Sequence, residues 1–209
     1  MSTTTLYLVR HGESNVAVQK IVGGELTCTG LSPLGLRQAQ ALRDRVEDEA
    51  VPIDVLISST LPRAIETAEA LAPALGIGLL VDPDLVEHRP GAADGCPFAD
   101  FDRRFGLFDF RAEPDRPFAP GGESLRQFYD RVMGAMRRIE EHYAGRAVMI
   151  VCHGGVIDVA FRDYLSIGIA STFDLWTLNT SITEFVVSEK HARPQLRRYN
   201  DAAHLTDLG

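Results

Sequence analysis

Two short apolar runs in this chain end the same way: Leu8-Val9-Arg10-His11-Gly12 and Ile150-Val151-Cys152-His153-Gly154. The run Ala147 to Cys152 is continuously apolar and does not alternate, which is the pattern of a strand covered on both faces. Strands of that kind belong to largely parallel sheets flanked by helices. In open α/β sheets the ligand crevice lies outside the carboxyl ends of the strands. Both runs place a histidine at that end, followed by a glycine that lets backbone N–H groups approach an anion.

The rest of the chain fits the same architecture. Ser32 then Pro33 reads as an N-cap and first helical residue of a helix to about Asp48, with Ala39, Leu42 and Val46 at helical spacing. Asp54 to Ile57 is a second strand, Pro62 opens a helix with Ile65, Ala68 and Leu71 on one face, and Gly78 to Val81 is a third strand. Ser124 caps a long helix carrying Leu125, Phe128, Val132, Met136 and Ile139 on its buried side. A helix is expected from Val156 to about Leu165, and strands from Ile182 to Ser188 and Gln195 to Tyr199 should finish the sheet. The fold class expected is α/β: a single domain over residues 1–209, with a largely parallel central sheet flanked by helices.

Periodicity breaks down between Asp82 and Gly122. That stretch holds Phe98, Phe101, Phe105, Phe108, Phe110 and Phe118, with Arg103, Arg104, Arg111 and Arg116 among them. A structureless loop of such length is improbable in a compact domain, so residues 87–122 are expected to form a small cap insertion with its own packing. The spacing of Phe98, Phe101, Phe105 and Phe108 predicts one helical face. Arg103 and Arg104 would project from other faces, where one could meet a second anionic group of a substrate.

Charge bears on partners. The net charge of −8 argues against nucleic acid and membrane surfaces as partners. Cations are nearly all arginine, with Lys20 and Lys190 the only lysines, and arginine offers the planar fork that suits phosphate. Cys28, Cys96 and Cys152 are odd in number and lack paired metal-ligand spacing, so no disulfide framework or zinc site is expected and a reducing cytoplasm is the expected location. Neither a transmembrane run nor a signal-peptide core is expected.

Arg63 adds a third strand-end residue. It follows Ser58-Ser59-Thr60-Leu61-Pro62 in the first turn of its helix, where a cation opposes the positive end of the helix dipole. An anion held between Arg63, Arg10 and the histidines would offset that cost.

The stretch Leu8-Val9-Arg10-His11-Gly12-Glu13-Ser14 resembles the opening motif of the histidine phosphatase superfamily, the phosphoglycerate mutase-like family. The likeness continues at Leu31-Ser32-Pro33-Leu34-Gly35 with Gln38-Ala39, and at Ser58-Ser59-Thr60-Leu61-Pro62-Arg63-Ala64 with Glu66-Thr67-Ala68. It runs on through Gly121-Gly122-Glu123-Ser124, Val151-Cys152-His153-Gly154-Gly155 and Asn179-Thr180-Ser181-Ile182. The resemblance implies that His11 is the nucleophile that becomes phosphohistidine. Arg10, Arg63 and His153 are implied to surround the phosphoryl group, with Ser14, Gly154 and Asn179 as further phosphate contacts. Leu85-Val86-Glu87 matches the segment of the proton donor, which makes Glu87 the general acid and base, with Gly91 or Gly95 as its downstream glycine. Ala17 departs from the pattern, because many members carry asparagine there; Asn15, by spacing, would point elsewhere.

The activity implied is phosphomonoester hydrolysis with neither metal nor other cofactor, the arginines and His153 cancelling phosphoryl charge as Mg²⁺ does in kinases. The partners implied are a small phosphorylated substrate and, as an option, a second copy of the chain. Two other readings stay open: a phosphoglycerate mutase, against which the shortness of residues 88–120 argues, and a catalytically silent binding module, against which the intact His11, Arg10, Arg63 and His153 argue.

Overall fold

The computed structural model describes residues 2–171, 173–188, 193–206 and 208; Lys190 lies outside them. In chain order the elements are β1 (Thr3–Arg10), α1 (Asn15–Val18), α2 (Pro33–Asp48), β2 (Val55–Ser59), α3 (Pro62–Leu75), β3 (Leu79–Asp82), α4 (Phe98–Phe105), α5 (Leu125–His142), β4 (Ala147–Cys152), α6 (Gly154–Tyr164), β5 (Ile182–Ser188) and β6 (Gln195–Asp201). One six-stranded sheet has the order β3-β2-β4-β1-β5-β6. The first four strands in this order are parallel, β5 pairs antiparallel with β1, and β6 pairs antiparallel with β5.

The pleat sorts the core into two layers. On β1, Leu6 and Leu8 face α5 and α6 together with Val148, Ile150 and Phe185. Tyr7 and Val9 face the other way, onto α2 and α3, with Leu56, Met149 and Val151. Strand side chains alternate between faces, so burial on both sides requires the unbroken apolar runs seen in the sequence. Fully burying an aliphatic side chain of this size contributes about 1.5–3 kcal/mol, which makes these layers the chief source of stability.

The caps fall where the sequence places them. Ser32 Oγ accepts from Gly35 N at the head of α2, and Ser124 and Gln127 form a capping box on α5. Several boundaries differ from expectation, three of them for a visible reason. β1 starts earlier, at Thr3, because β5 gives it pairing partners as far as Ser188. Asp54 stays outside β2, its carboxylate instead accepting from Ala147 N. α6 begins at Gly154 rather than Val156, with His153 itself as the N-cap residue. Among the described residues no helix is long and apolar enough to cross a membrane.

Candidate active site

The sheet order sets β2, β4 and β1 side by side, so their carboxyl ends deliver Arg63, His153, and Arg10 with His11 to one place. The backbone N–H of His11 donates to the Cys152 carbonyl at 3.0 Å, joining the ends of β1 and β4. A loop from Thr177 to Ser181 splints the other side. Thr180 N donates to the Arg10 carbonyl at 2.8 Å, the Asn179 amide donates to the His11 carbonyl at 2.8 Å, and the Arg10 guanidinium donates to the Thr177 carbonyl. Thr180 holds φ at 56°, a left-handed conformation that costs a β-branched residue and that this bonding over-determines. Asn179 thus braces the backbone of His11 through its side-chain amide and is not among the residues lining the adjoining cavity.

The His11 ring is fixed through both nitrogens. Nδ1 lies 2.6 Å from the Gly12 carbonyl, an acceptor, so the ring proton sits on Nδ1. Nε2 then presents its lone pair, and it accepts from Arg63 Nε at 3.1 Å. Burial, then the charges of Arg63 and Arg10, push the imidazole well below its ordinary value of 6.5, against a smaller opposing effect of the Gly12 carbonyl. His11 is neutral near pH 7. In ¹H NMR of the free protein its Cε1–H resonance, assigned by its loss in His11→Ala, should show no midpoint near 6.5 and titrate only at more acid pH; a midpoint at or above 6.5 would contradict the burial argument. Between 6.5 and the lowered native value the unfolded ring binds a proton that the native ring refuses. Stability from this residue is thus complete above about pH 6.5 and lost progressively as pH falls toward the native value.

Arg63, His153 and Arg10 complete the cationic wall. Arg63 is 4% exposed and anchors a second nitrogen on the Gly23 carbonyl at 3.1 Å. His153 is fully buried, its ring centroid 5.1 Å from that of His11, and Nε2 lies 2.8 Å from Ser59 Oγ. Desolvation, then Arg63, His11 and Arg10, hold it well below the ordinary imidazole value. His153 is consequently held in its neutral form in the free protein. Ser59 Oγ accepts from Leu61 N at 3.3 Å and has its own proton free for His153 Nε2, a pairing compatible with the tautomer that carries the ring proton on Nδ1. Among the described residues, His153 Nδ1 and Arg10 Nε are buried without a hydrogen-bond partner. Orphaned buried polar atoms are costly, and two of them beside two guanidiniums mark a place shaped for an anion.

Glu87 arrives from the segment after β3. Its carboxylate accepts from Gly155 N at 3.0 Å, at the N-terminus of α6, and from His88 N at 3.0 Å. Gly155 is required there, because a Cβ would stand 2.3 Å from Glu87 Oε1. A second close approach explains Gly12 and Gly35: a Cβ on either would meet backbone oxygen of the facing loop at 2.6 Å or less. Ser14 lines the cavity, but its hydroxyl caps α1, accepting from Ala17 N. Gly154 also lines the cavity, beside Arg10. Asn15 turns to the Thr29 carbonyl, as its spacing suggests.

Several supporting residues have no assigned role in the sequence reading. Thr67 accepts from Gly12 N and donates to the Arg63 carbonyl, linking two strand ends. Ser59 orients His153. Both lie inside motif segments, so a signal existed. Thr177 acts through its carbonyl, which leaves no trace in side-chain identity.

The site opens into a cavity of about 730 Å³ lined by Arg10, His11, Arg63 and Glu87 together with further residues of the 87–122 segment. α4 ends at Phe105, where Gly106 takes φ of +83°, so Phe108 does not continue the expected helical face. Phe101, Phe105 and Phe118 pack on Ala93, Cys96 and Ala119, while Phe98 stays 57% exposed. Arg103 and Arg104 both pair with Asp100 outside the cavity. The arginines of this segment that line it are Arg111 and Arg116, which corrects the earlier expectation. Among the described residues no three of His, Cys, Asp and Glu gather as metal ligands would.

Comparison with known proteins finds relatives along nearly the whole chain. A family model described as the histidine phosphatase superfamily (branch 1) matches residues 6–202. The metal-independent phosphoserine phosphatase of Arabidopsis thaliana is 31% identical over 99% of this chain and 85% of its own length. An uncharacterised phosphatase, PhoE, of Bacillus subtilis (strain 168) is 29% identical, covering 97% of both chains. Among solved structures, a mycobacterial glucosyl-3-phosphoglycerate phosphatase superposes with a TM-score of 0.82 at 25% identity, covering 95% of this chain and 99% of that one.

Proposed function

Because this chain belongs to the histidine phosphatase superfamily, we propose that it is a phosphomonoester hydrolase working through a phosphohistidine on His11 and needing no metal. One observation carries the reading: a neutral imidazole whose Nδ1–H is held by the Gly12 carbonyl turns its Nε2 lone pair toward buried Arg63. The substrate dianion takes the place of Nε2 as acceptor for Arg63 Nε–H, and it meets the unpartnered Arg10 Nε and His153 Nδ1. These donors cancel charge on the nonbridging oxygens.

His11 Nε2 attacks phosphorus in line, and the bond to the ester oxygen breaks. Glu87, in its acid form, gives its proton to that leaving oxygen. The ring then carries positive charge, which the 2.6 Å contact with the Gly12 carbonyl stabilises. In the second half Glu87 takes a proton from water, the water oxygen attacks phosphorus, and the P–N bond breaks to restore neutral His11 and release phosphate. The 87–122 segment brings Glu87 and the cavity wall together, and its role as a cap is to keep bulk water from the phosphohistidine.

Exhaustive chelation should leave phosphate release from a generic monoester within about twofold of the untreated rate. A collapse that Mg²⁺ restores would contradict the electrostatic argument. Mass spectrometry that avoids acid should find phosphate on His11 after brief incubation with substrate, and release to water should exceed interconversion of 2- and 3-phosphoglycerate.

A further inference from the structure

We infer that the alcohol carried by the natural substrate is bulky, apolar and uncharged, so that phosphoserine and phosphoglycerate are poor substrates; this rests on the phosphatase reading above. Phosphoserine and phosphoglycerate each bring a carboxylate, and burying a carboxylate requires a cation to receive it. Beyond Arg10 and Arg63, the arginines lining the cavity are Arg111 and Arg116. Arg111 is engaged by Asp158 at 3.4 Å and Asp174 at 3.1 Å. Arg116 meets Glu113 at 3.4 Å and lies 4.1 Å over the Phe108 ring. A substrate carboxylate at either arginine would compete with a protein carboxylate already paired there. Asp102 and Asp158 also face the cavity and would repel it.

The apolar wall gives the positive half of the argument. Phe98, Phe101, Phe108, Phe110, Phe118 and Leu175 line one continuous cavity with His11. Phe98 is 57% exposed and Phe110 42% exposed, leaving apolar surface that an apolar ligand would cover. Ala17, at the position where asparagine is common in the family, extends the same wall on the side of β1. A cavity of about 730 Å³ suits a group the size of an aryl-alkyl chain, in the range typical of apolar small-molecule sites.

The test compares three primary alkyl monoesters: 3-phenylpropyl phosphate, propyl phosphate and O-phosphoserine. The serine oxygen is the best leaving group of the three, so intrinsic reactivity works against the inference. We expect kcat/KM for 3-phenylpropyl phosphate to exceed both others by about ten- to hundredfold, the effect of burying a phenyl ring. Phe108→Ala or Phe98→Ala should compress the ratio of 3-phenylpropyl to propyl phosphate by at least about threefold. Phosphoserine turned over as well as or better than 3-phenylpropyl phosphate would overturn the inference and leave the phosphatase reading standing. A ratio unchanged in both variants would likewise overturn it. No phosphate from any ester, with no label on His11, would bring down both readings.

Discussion

Replacing His11 by alanine lowers kcat for phosphate release by at least about four orders of magnitude, the scale of losing a covalent nucleophile. The expectation follows from how completely the ring is specified. Gly12 fixes its tautomer, Arg63 meets its lone pair, and Asn179 braces its carbonyl. Alanine removes the attacking atom while β1 keeps its backbone bonds to β4 and β5. The variant should therefore remain folded by circular dichroism and lose the phosphohistidine label. Turnover within tenfold of the native rate, in a folded His11→Ala protein, would exclude His11 as the nucleophile.

Arg63→Met should separate activity from stability. Arg63 and Arg10 are two largely buried guanidiniums beside one cavity, and the charge of Arg63, after desolvation and against Glu87, depresses the proton affinity of Arg10. Removing one buried cation relieves that repulsion and loses the bonds to His11 and Gly23. Stability in anion-free buffer should shift by no more than about 1 kcal/mol. In contrast, kcat/KM should fall by about 10²–10³, as when a preorganised donor to a developing anion is lost. Inorganic phosphate at about a hundred times its Kd should raise the native Tm by about 5–10 °C. That rise should largely vanish in Arg63→Met. A variant that unfolds without anion, or that keeps the full phosphate-induced shift, would show that Arg63 serves the fold and not the anion.

Much of this site was legible in the sequence because its principal residues sit at strand ends. Once the apolar runs are read as parallel strands, the crevice rule brings His11, His153 and Arg63 together before any coordinates exist. The family resemblance added Glu87, which no periodicity would have picked out. The legible part ends where backbone geometry takes over. Gly106 stops α4 after Phe105, and with that turn the cavity arginines become Arg111 and Arg116 instead of Arg103 and Arg104. A positive φ at one glycine is not announced by the residues before it. Asn179 was read as a polar contact of the site; that its amide reaches the His11 carbonyl depends on the left-handed turn at Thr180.

The position of β1 in the sheet governs when the site can come into being. Its two neighbours in the sheet are β4 and β5, so the strand that carries Arg10 and leads into His11 is paired by Ala147–Cys152 and Ile182–Ser188. Pairings this distant along the chain are slow to close and favour late, cooperative assembly. During synthesis a ribosome-bound chain has long exposed His11 while the strands that orient it are still unmade. A nascent protein cut short before Ile182 would carry every charged side chain of the site and still lack the edge that seats them. Such a fragment holds the charged residues of the site without the strand that completes their seat, so the site is finished late in chain order.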